Sequence, residues 1–278
     1  MSIRSTVFAA GIAGGASLSH EDDAGPLQPL AVPHPVDRYA YVRESCQGRR
    51  VLDLSAYDET EVDRRQDDSW RWLHAEIADV ARDVLGVDAS EKVRKTGGID
   101  TDLGTRIVYG RVEELDDIVQ DFKPDLVVAG ELIEHTHDTI GWLNGLAHAA
   151  PGTRLLATTP NTTSIINVVL ALLRRENAHP DHIHVYSFRT LVTLAGRIPL
   201  REVRITPYYY DPHLFVSRLS GRAKPTVGML NRILRLFQYV FPLTSSGLIL
   251  EGTLGDPSDD PSRVQSDEGE VNRGALAG

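Results

Sequence analysis

Three acids and a group of histidines carry the chemistry-bearing side chains of this sequence. Asp53, Asp88 and Glu131 each close a short apolar run: Val51-Leu52 before Asp53, Val84-Leu85-Gly86-Val87 before Asp88, and Leu126-Val127-Val128-Ala129-Gly130 before Glu131. A carboxylate at the end of a buried strand can accept hydrogen bonds from two ribose hydroxyls of a nucleoside ligand. At Asp88 the competing reading is a solvated or helix-capping acid, with Ser90 as another cap candidate. His135 comes closely after Glu131. Histidine ionises near neutral pH and suits proton removal from an oxygen nucleophile; the simpler reading is a ring that hydrogen-bonds backbone or Glu131. His179, His182 and His184 raise the question of metal. His182 and His184 alternate as on one side of a strand, beside Asp181. No third ligand is evident, so the expectation is no metal and a polar loop on the substrate side. Tyr208-Tyr209-Tyr210-Asp211-Pro212-His213 offers rings with polar tips, suited to sugar or phenolic ligands and equally to a strand packed on a sheet.

The elements that must position these residues alternate. Short apolar runs predict strands over 49–54, 83–88, 105–110, 124–130 and 153–160, with two more over 201–208 and 247–252. Helical spacing appears over 36–42, over 70–81 (Trp72, Leu73, Ile77, Val80, Ala81), at Ile140, Leu143, Leu146 and Ala147, and after Ser187. Strands alternating with helices predict an α/β fold, a doubly wound and mostly parallel sheet with helices on both faces. Ligands bind such sheets at the carboxyl ends of the strands, where the strand order reverses. A last helix, 229–241, has a wide apolar face and basic neighbours Arg222, Lys224, Arg232 and Arg235. It reads as a lid over the substrate, a dimer face or an interfacial membrane helix, and packing as a lid is the preferred reading.

The ordered set Val51-Leu52-Asp53-Leu54, Val84-Leu85-Gly86-Val87-Asp88 and Asp125-Leu126-Val127-Val128-Ala129-Gly130-Glu131-Leu132-Ile133-Glu134-His135 resembles a class I methyltransferase dependent on S-adenosylmethionine. Pro151-Gly152-Thr153-Arg154-Leu155-Leu156-Ala157-Thr158-Thr159-Pro160-Asn161 is similar to that family's fifth strand and its entry. Residues 182–191 resemble the family's next stretch, where many members have an aromatic-Ser pair before a helix. The resemblance spans roughly residues 39–196. It implies a Rossmann-like methyltransferase fold with a seven-stranded sheet whose last strand is antiparallel. It also implies S-adenosylmethionine as cofactor. Asp53 and Ser55 would face its methionine end, Asp88 the ribose, Ala89 the adenine, and Gly130 and Glu131 the sulfonium. Arg111 stands where the family often has an acid, so backbone of Val112 or Glu113 would serve the adenine amino group. The glycine-rich first loop of the family is missing: Ser55-Ala56-Tyr57-Asp58-Glu59 stands there, and a polar insertion leads to Trp70-Arg71-Trp72-Leu73-His74. In one reading the loop is rebuilt, with Tyr57 and with Trp72 or His74 enclosing the cofactor. In the other the site is lost and the fold serves as a binding module. The acids Asp53, Asp88 and Glu131 favour the first. A tryptophan on an amphipathic helix is also an ordinary core residue. A nicotinamide-dependent dehydrogenase is disfavoured, because no Gly-x-Gly-x-x-Gly stands after Leu54.

Composition sets the bounds. The chain has 278 residues, 24% charged and 41% hydrophobic, which is ordinary for a globular domain. Its net charge of -10 gives no footprint for a phosphate backbone, so nucleic acid is not an expected partner. Cys46 is the single cysteine, which excludes an internal disulfide and a cysteine-based zinc site. No run of apolar residues is long enough for an ordinary membrane span. Residues 1–36 read as a flexible leader rather than an export signal, 37–254 as the methyltransferase domain with a helical insertion at about 218–244, and 255–278 as a disordered acidic tail. The expectation is a cytoplasmic enzyme that methylates an oxygen of a small molecule, sugar or glycan precursor. The rival is a non-catalytic module of the same fold with peripheral membrane contact. Acceptor identity and oligomeric state are left open.

Overall fold

The computed structural model describes residues 30–57, 71–209 and 223–255. Residues 1–29, the insertion after Tyr57, the segment from Tyr210 to Arg222 and residues 256–278 lie outside the described residues. The end of the expected leader is not a free segment: Leu30 and Val32 pack against the core, and Val36 bridges Tyr208, its N–H donating to the Pro207 carbonyl at 3.0 Å.

Buried apolar runs form the middle of one sheet. Strand β1 (Arg50–Leu54) is buried from Val51 onward. Strand β2 (Asp83–Asp88) and strand β5 (Leu126–Gly130) are nearly as enclosed. Such continuous burial is what a parallel strand covered on both faces requires. The other strands are β3 (Ile99–Asp100), β4 (Arg106–Tyr109), β6 (Arg154–Pro160), β7 (Leu200–Tyr208) and β8 (Gly247–Leu254). The sheet has eight strands in the order β3-β4-β2-β1-β5-β6-β8-β7. β1, β2, β4, β5 and β6 pair in parallel, and β8 slots antiparallel between β6 and β7. Strand order therefore reverses between β1 and β5. The expected seven strands are all present. The eighth, β3, is a two-residue antiparallel addition to the β4 edge, too short for periodicity to reveal.

Helices cover both faces. On one side lie α4 (Asp116–Phe122), α5 (Thr139–Ala149) and α7 (Phe188–Ala195), which bury Val119, Trp142, Leu143, Leu146, Phe188 and Leu191 against Leu52, Val127 and Leu155. On the other side α1 (Arg38–Cys46) and α2 (Leu73–Ala78) bury Val42, Cys46 and Ile77 against Val51, Leu126 and Val128. α3 (Glu91–Thr96) starts at Ser90, whose hydroxyl accepts from the Val93 N–H, so the proposed cap is real. α7 starts at Ser187 with a reciprocal capping box to Thr190.

Three helical expectations change. The 36–42 helix shifts to α1, because Asp37 caps it by accepting from the Ala40 N–H. The 70–81 helix shrinks to α2, since Trp72 offers no side-chain cap and the chain turns at Asp79. The 229–241 helix becomes α8 (Ala223–Val240), and it does not pack as a buried lid: Met229, Leu230, Ile233 and Leu236 are all more than half exposed. A further helix, α6 (Ile165–Leu172), buries none of its residues and has no counterpart among the predicted elements.

Candidate functional site

The crevice between β1 and β5 is bracketed by two backbone irregularities. Ser55 just after β1 has φ 64° and Glu131 just after β5 has φ 53°. A left-handed non-glycine residue is held only where its surroundings impose it, and such positions cluster at ligand sites. Both Ser55 and Ala56 donate their N–H to the Val87 carbonyl (2.9 and 3.2 Å), and Glu131 donates to the Thr158 carbonyl at 2.9 Å.

On the β1–β2 side Asp88 is the organising acid. Its Oδ2 accepts from the Tyr57 N–H at 2.9 Å and its Oδ1 from the Ser90 N–H at 2.8 Å. Burial raises its pKa above the ordinary aspartate value, with the Ser90 and Tyr57 N–H groups pulling the other way. A carboxylate has about four lone-pair sites, so two N–H donors leave capacity for hydroxyls. Ala89 beside it is exposed. Tyr57 is buried, and its hydroxyl has no hydrogen-bond partner among the described residues.

Asp53 and His74 behave differently from expectation. The His74 ring is fully buried, with Nδ1 2.8 Å from Asp53 Oδ2 and Nε2 2.8 Å from Thr105 Oγ1. Thr105 Oγ1 lies 2.7 Å from Thr101 Oγ1. Both ring nitrogens are committed, so His74 has none left for a ligand and serves as an internal strut. Trp72 donates Nε1–H to the Ala56 carbonyl at 2.9 Å and packs with Ala56, Tyr57, Val93 and Ile107. It is core, as the simpler reading had it. Gly130 is also covered: a Cβ there would run into the Leu73 side chain. Of the Gly130-Glu131 pair, only Glu131 offers a partly exposed side chain.

On the β5–β6 side an acid network meets Glu131. The Tyr208 hydroxyl donates to Glu131 Oε1, and Arg38 Nη1 lies 3.5 Å from the same oxygen. Burial alone would lower the Arg38 pKa; Glu131, then Tyr208 and Tyr39, outweigh it and keep the guanidinium charged. Burial, then the negative Glu131, raises the Tyr208 phenol well above its usual range. Glu134 is buried, accepts from the Thr159 hydroxyl at 3.0 Å, and is pushed up to about 8 by burial and by the Glu131 charge. Its Oε1 has no partner among the described residues.

The Glu134 carbonyl accepts from the N–H groups of Ile183 and His184 (3.0 and 3.1 Å). That clamp brings the 179–184 loop against His135. The rings of His135 and His182 meet edge to face at 4.6 Å, with His179 at 5.9 and 5.7 Å from them. The third histidine of the group is therefore His135, not His184, whose ring turns toward Tyr186. The expected strand through His182 and His184 is absent; the stretch is a loop with one bridge, Tyr186 to Asn161. Burial, then His135 and His179, lowers the His182 pKa.

Val112 and Glu113 sit farther along the rim and line a cavity of about 190 Å³ with Leu115, Asp138 and Trp142. A wider hollow of about 440 Å³ lies between α4 and the sheet and holds none of the expected site residues. Arg38, Glu134, Thr105 and Thr159 were not singled out by the sequence for roles at this rim. For Glu134 the signal was there, in Glu131-Leu132-Ile133-Glu134-His135. For Arg38 nothing local points to Glu131.

No protein-family model and no curated protein matches the chain. Solved structures do. A SAM-dependent methyltransferase from Archaeoglobus fulgidus is 15% identical, with 77% of this chain and 92% of that chain covered at a TM-score of 0.46. A SAM-dependent methyltransferase from Thermotoga maritima is 14% identical, with 77% and 86% covered at 0.47. Phosphoethanolamine N-methyltransferase 2 from Haemonchus contortus, in complex with S-adenosyl-L-methionine, is 14% identical, with 81% and 54% covered at 0.42. The class of fold rests on the strand order itself: a doubly wound, mostly parallel α/β sheet in which β8 runs antiparallel between β6 and β7.

Proposed function

We propose that the chain is an S-adenosylmethionine-dependent methyltransferase, acting on an oxygen of a small-molecule acceptor such as a sugar or glycan precursor. The observation that carries this reading is Asp88, a buried acid closing β2 beside the crevice where strand order reverses. The unpartnered Tyr57 hydroxyl next to it is a polar atom that a nucleoside could satisfy.

When bound, the cofactor supplies a methyl group made electrophilic by its sulfonium. Asp88 would hold the ribose, Ala89 would lie against the adenine, and backbone of Val112 or Glu113 would meet the adenine edge. Ser55 and Tyr57 line the approach from β1. Glu131 presents negative charge to the cation, and Arg38 and Tyr208 fix its carboxylate in place. Asp53 acts through His74 and Thr105, which brace the loop from below. On the acceptor side His135 handles the proton that the acceptor hydroxyl loses as its bond to carbon forms.

Millimolar S-adenosylmethionine is expected to raise the melting temperature by about 5–10 °C if it reaches about 100 times the dissociation constant. No shift at that concentration rejects the reading. With an acceptor in hand, His135→Ala is expected to lower kcat about 100-fold with cofactor affinity unchanged. Equal turnover removes His135 from the reaction.

The exposed apolar faces favour a second reading, a module that docks on an anionic bilayer. Val168, Val169 and Leu172 of α6 and Leu230, Ile233 and Leu236 of α8 are exposed, near the exposed cations Arg174, Arg175 and Arg232. Among the described residues no helix is long and apolar enough to cross a membrane. In this reading the chain floats with vesicles containing phosphatidylserine, and Leu230→Asp with Ile233→Asp abolishes flotation. A chain that stays with the soluble fraction ends it.

A further inference from the structure

We propose that His135, His179 and His182 form a binding site for a divalent transition-metal ion of the zinc class. The candidate donor atoms of the three rings all lie within 4.8 Å of one another. Around an ion with bonds of about 2.0–2.1 Å in tetrahedral geometry they would stand about 3.3 Å apart. Small rotations of side chains in half-buried and exposed positions close that gap. Three imidazoles select zinc, cobalt, nickel or copper over magnesium or calcium, which prefer oxygen.

The backbone builds the arrangement. The His135 N–H bonds the Leu132 carbonyl at 2.9 Å, and the His182 N–H bonds the His179 carbonyl at 3.0 Å. The Glu134 carbonyl then joins the two segments through Ile183 and His184. Asp181 flanks His179: its backbone N–H donates to His179 Nδ1 at 3.3 Å, which orients the ring and leaves Nε2 as the ligand atom. Among the described residues the rings of His135 and His182 make no hydrogen bond that would otherwise explain their convergence. His135 meets both other rings edge to face, and each of the three rings keeps a nitrogen available to an ion.

Three protein ligands leave a fourth position for water or another oxygen. If the methyltransferase reading holds, an acceptor hydroxyl at that position would release its proton to water near neutral pH as its oxygen bonds the methyl carbon, and His135 would serve as a ligand of the ion in place of the free base. Metal binding itself does not depend on that reading.

The test uses the untagged full chain stripped of metal. Co²⁺ is titrated in and followed by its visible d–d bands, then displaced with Zn²⁺. The expected result is one equivalent bound, at least about 10-fold weaker binding in His179→Ala and in His182→Ala, and unchanged binding in His184→Ala. His179 is exposed, so its replacement leaves the core intact, and matching circular dichroism verifies this for each variant. Absence of one-equivalent binding overturns the proposal, as does equal affinity in the wild type and all three variants. The cofactor-induced thermal shift is read on the same samples. Loss of the metal signal with the shift retained sinks only the metal site, and the converse sinks only the methyltransferase reading.

Discussion

His74→Ala is expected to destabilise the fold by about 3 kcal/mol, lowering the melting temperature by roughly 10 °C. Asp53 is 2% exposed, and the His74 ring supplies a hydrogen bond to its carboxylate. Removing the ring takes a hydrogen-bond partner from the buried Asp53 carboxylate and one of two side-chain partners from the Thr105 hydroxyl. The double replacement Asp53→Asn with His74→Ala is expected to recover part of the loss, because a buried amide costs less than a buried carboxylate. Thermal or urea unfolding measures both. A stability change under about 1 kcal/mol in the single variant would mean that the strut carries no load, and that Asp53 is free for a ligand after all.

The second large effect is on binding. Asp88→Ala is expected to weaken cofactor affinity about 100-fold, the scale of two hydrogen bonds to a charged acceptor. The same change takes an acceptor from the Tyr57 and Ser90 N–H groups, so stability falls as well, by about 1–2 kcal/mol. Asp88→Asn keeps one acceptor oxygen and is expected to cost about 10-fold in affinity. Calorimetric titration separates the two consequences, since binding is measured below the melting range of each variant. Unchanged affinity in Asp88→Ala would move the ligand elsewhere on the rim.

The strands were legible because a parallel strand buried on both faces leaves a continuous apolar run. Val84-Leu85-Gly86-Val87 ending at Asp88 and the run ending at Gly130 both stand where that pattern puts them. α7 was legible from the helical spacing after Ser187, and the structure shows why it starts there, with Ser187 and Thr190 in a capping box. α6 was harder to read, since nearly all its residues are apolar and no polar face marks a helical period, and the structure buries none of them. The lid expectation for 229–241 assumed that an apolar helix face finds a core, and α8 shows such a face turned outward.

The candidate site was legible by residue type but not by partnership. Asp53 and His74 were each flagged for a ligand, yet they are bonded to each other across 21 positions. Glu131 and Tyr208 meet across 77 positions, and no local pattern encodes that. The histidine trio depends on the Glu134 carbonyl capturing the 183–184 backbone, so the sequence showed His182 and His184 without the His135 that completes the set. Long-range pairings of this kind are set by topology, which spacing along the chain does not record.

The most direct measurement is a crystal structure of the full chain grown with S-adenosylhomocysteine. The expected density has the ribose hydroxyls on the Asp88 carboxylate and the sulfur toward Glu131, with the Tyr57 hydroxyl newly partnered. A crystal soaked at millimolar ligand that shows no nucleoside between β1 and β5, with the Tyr57 hydroxyl still unpartnered, would contradict it.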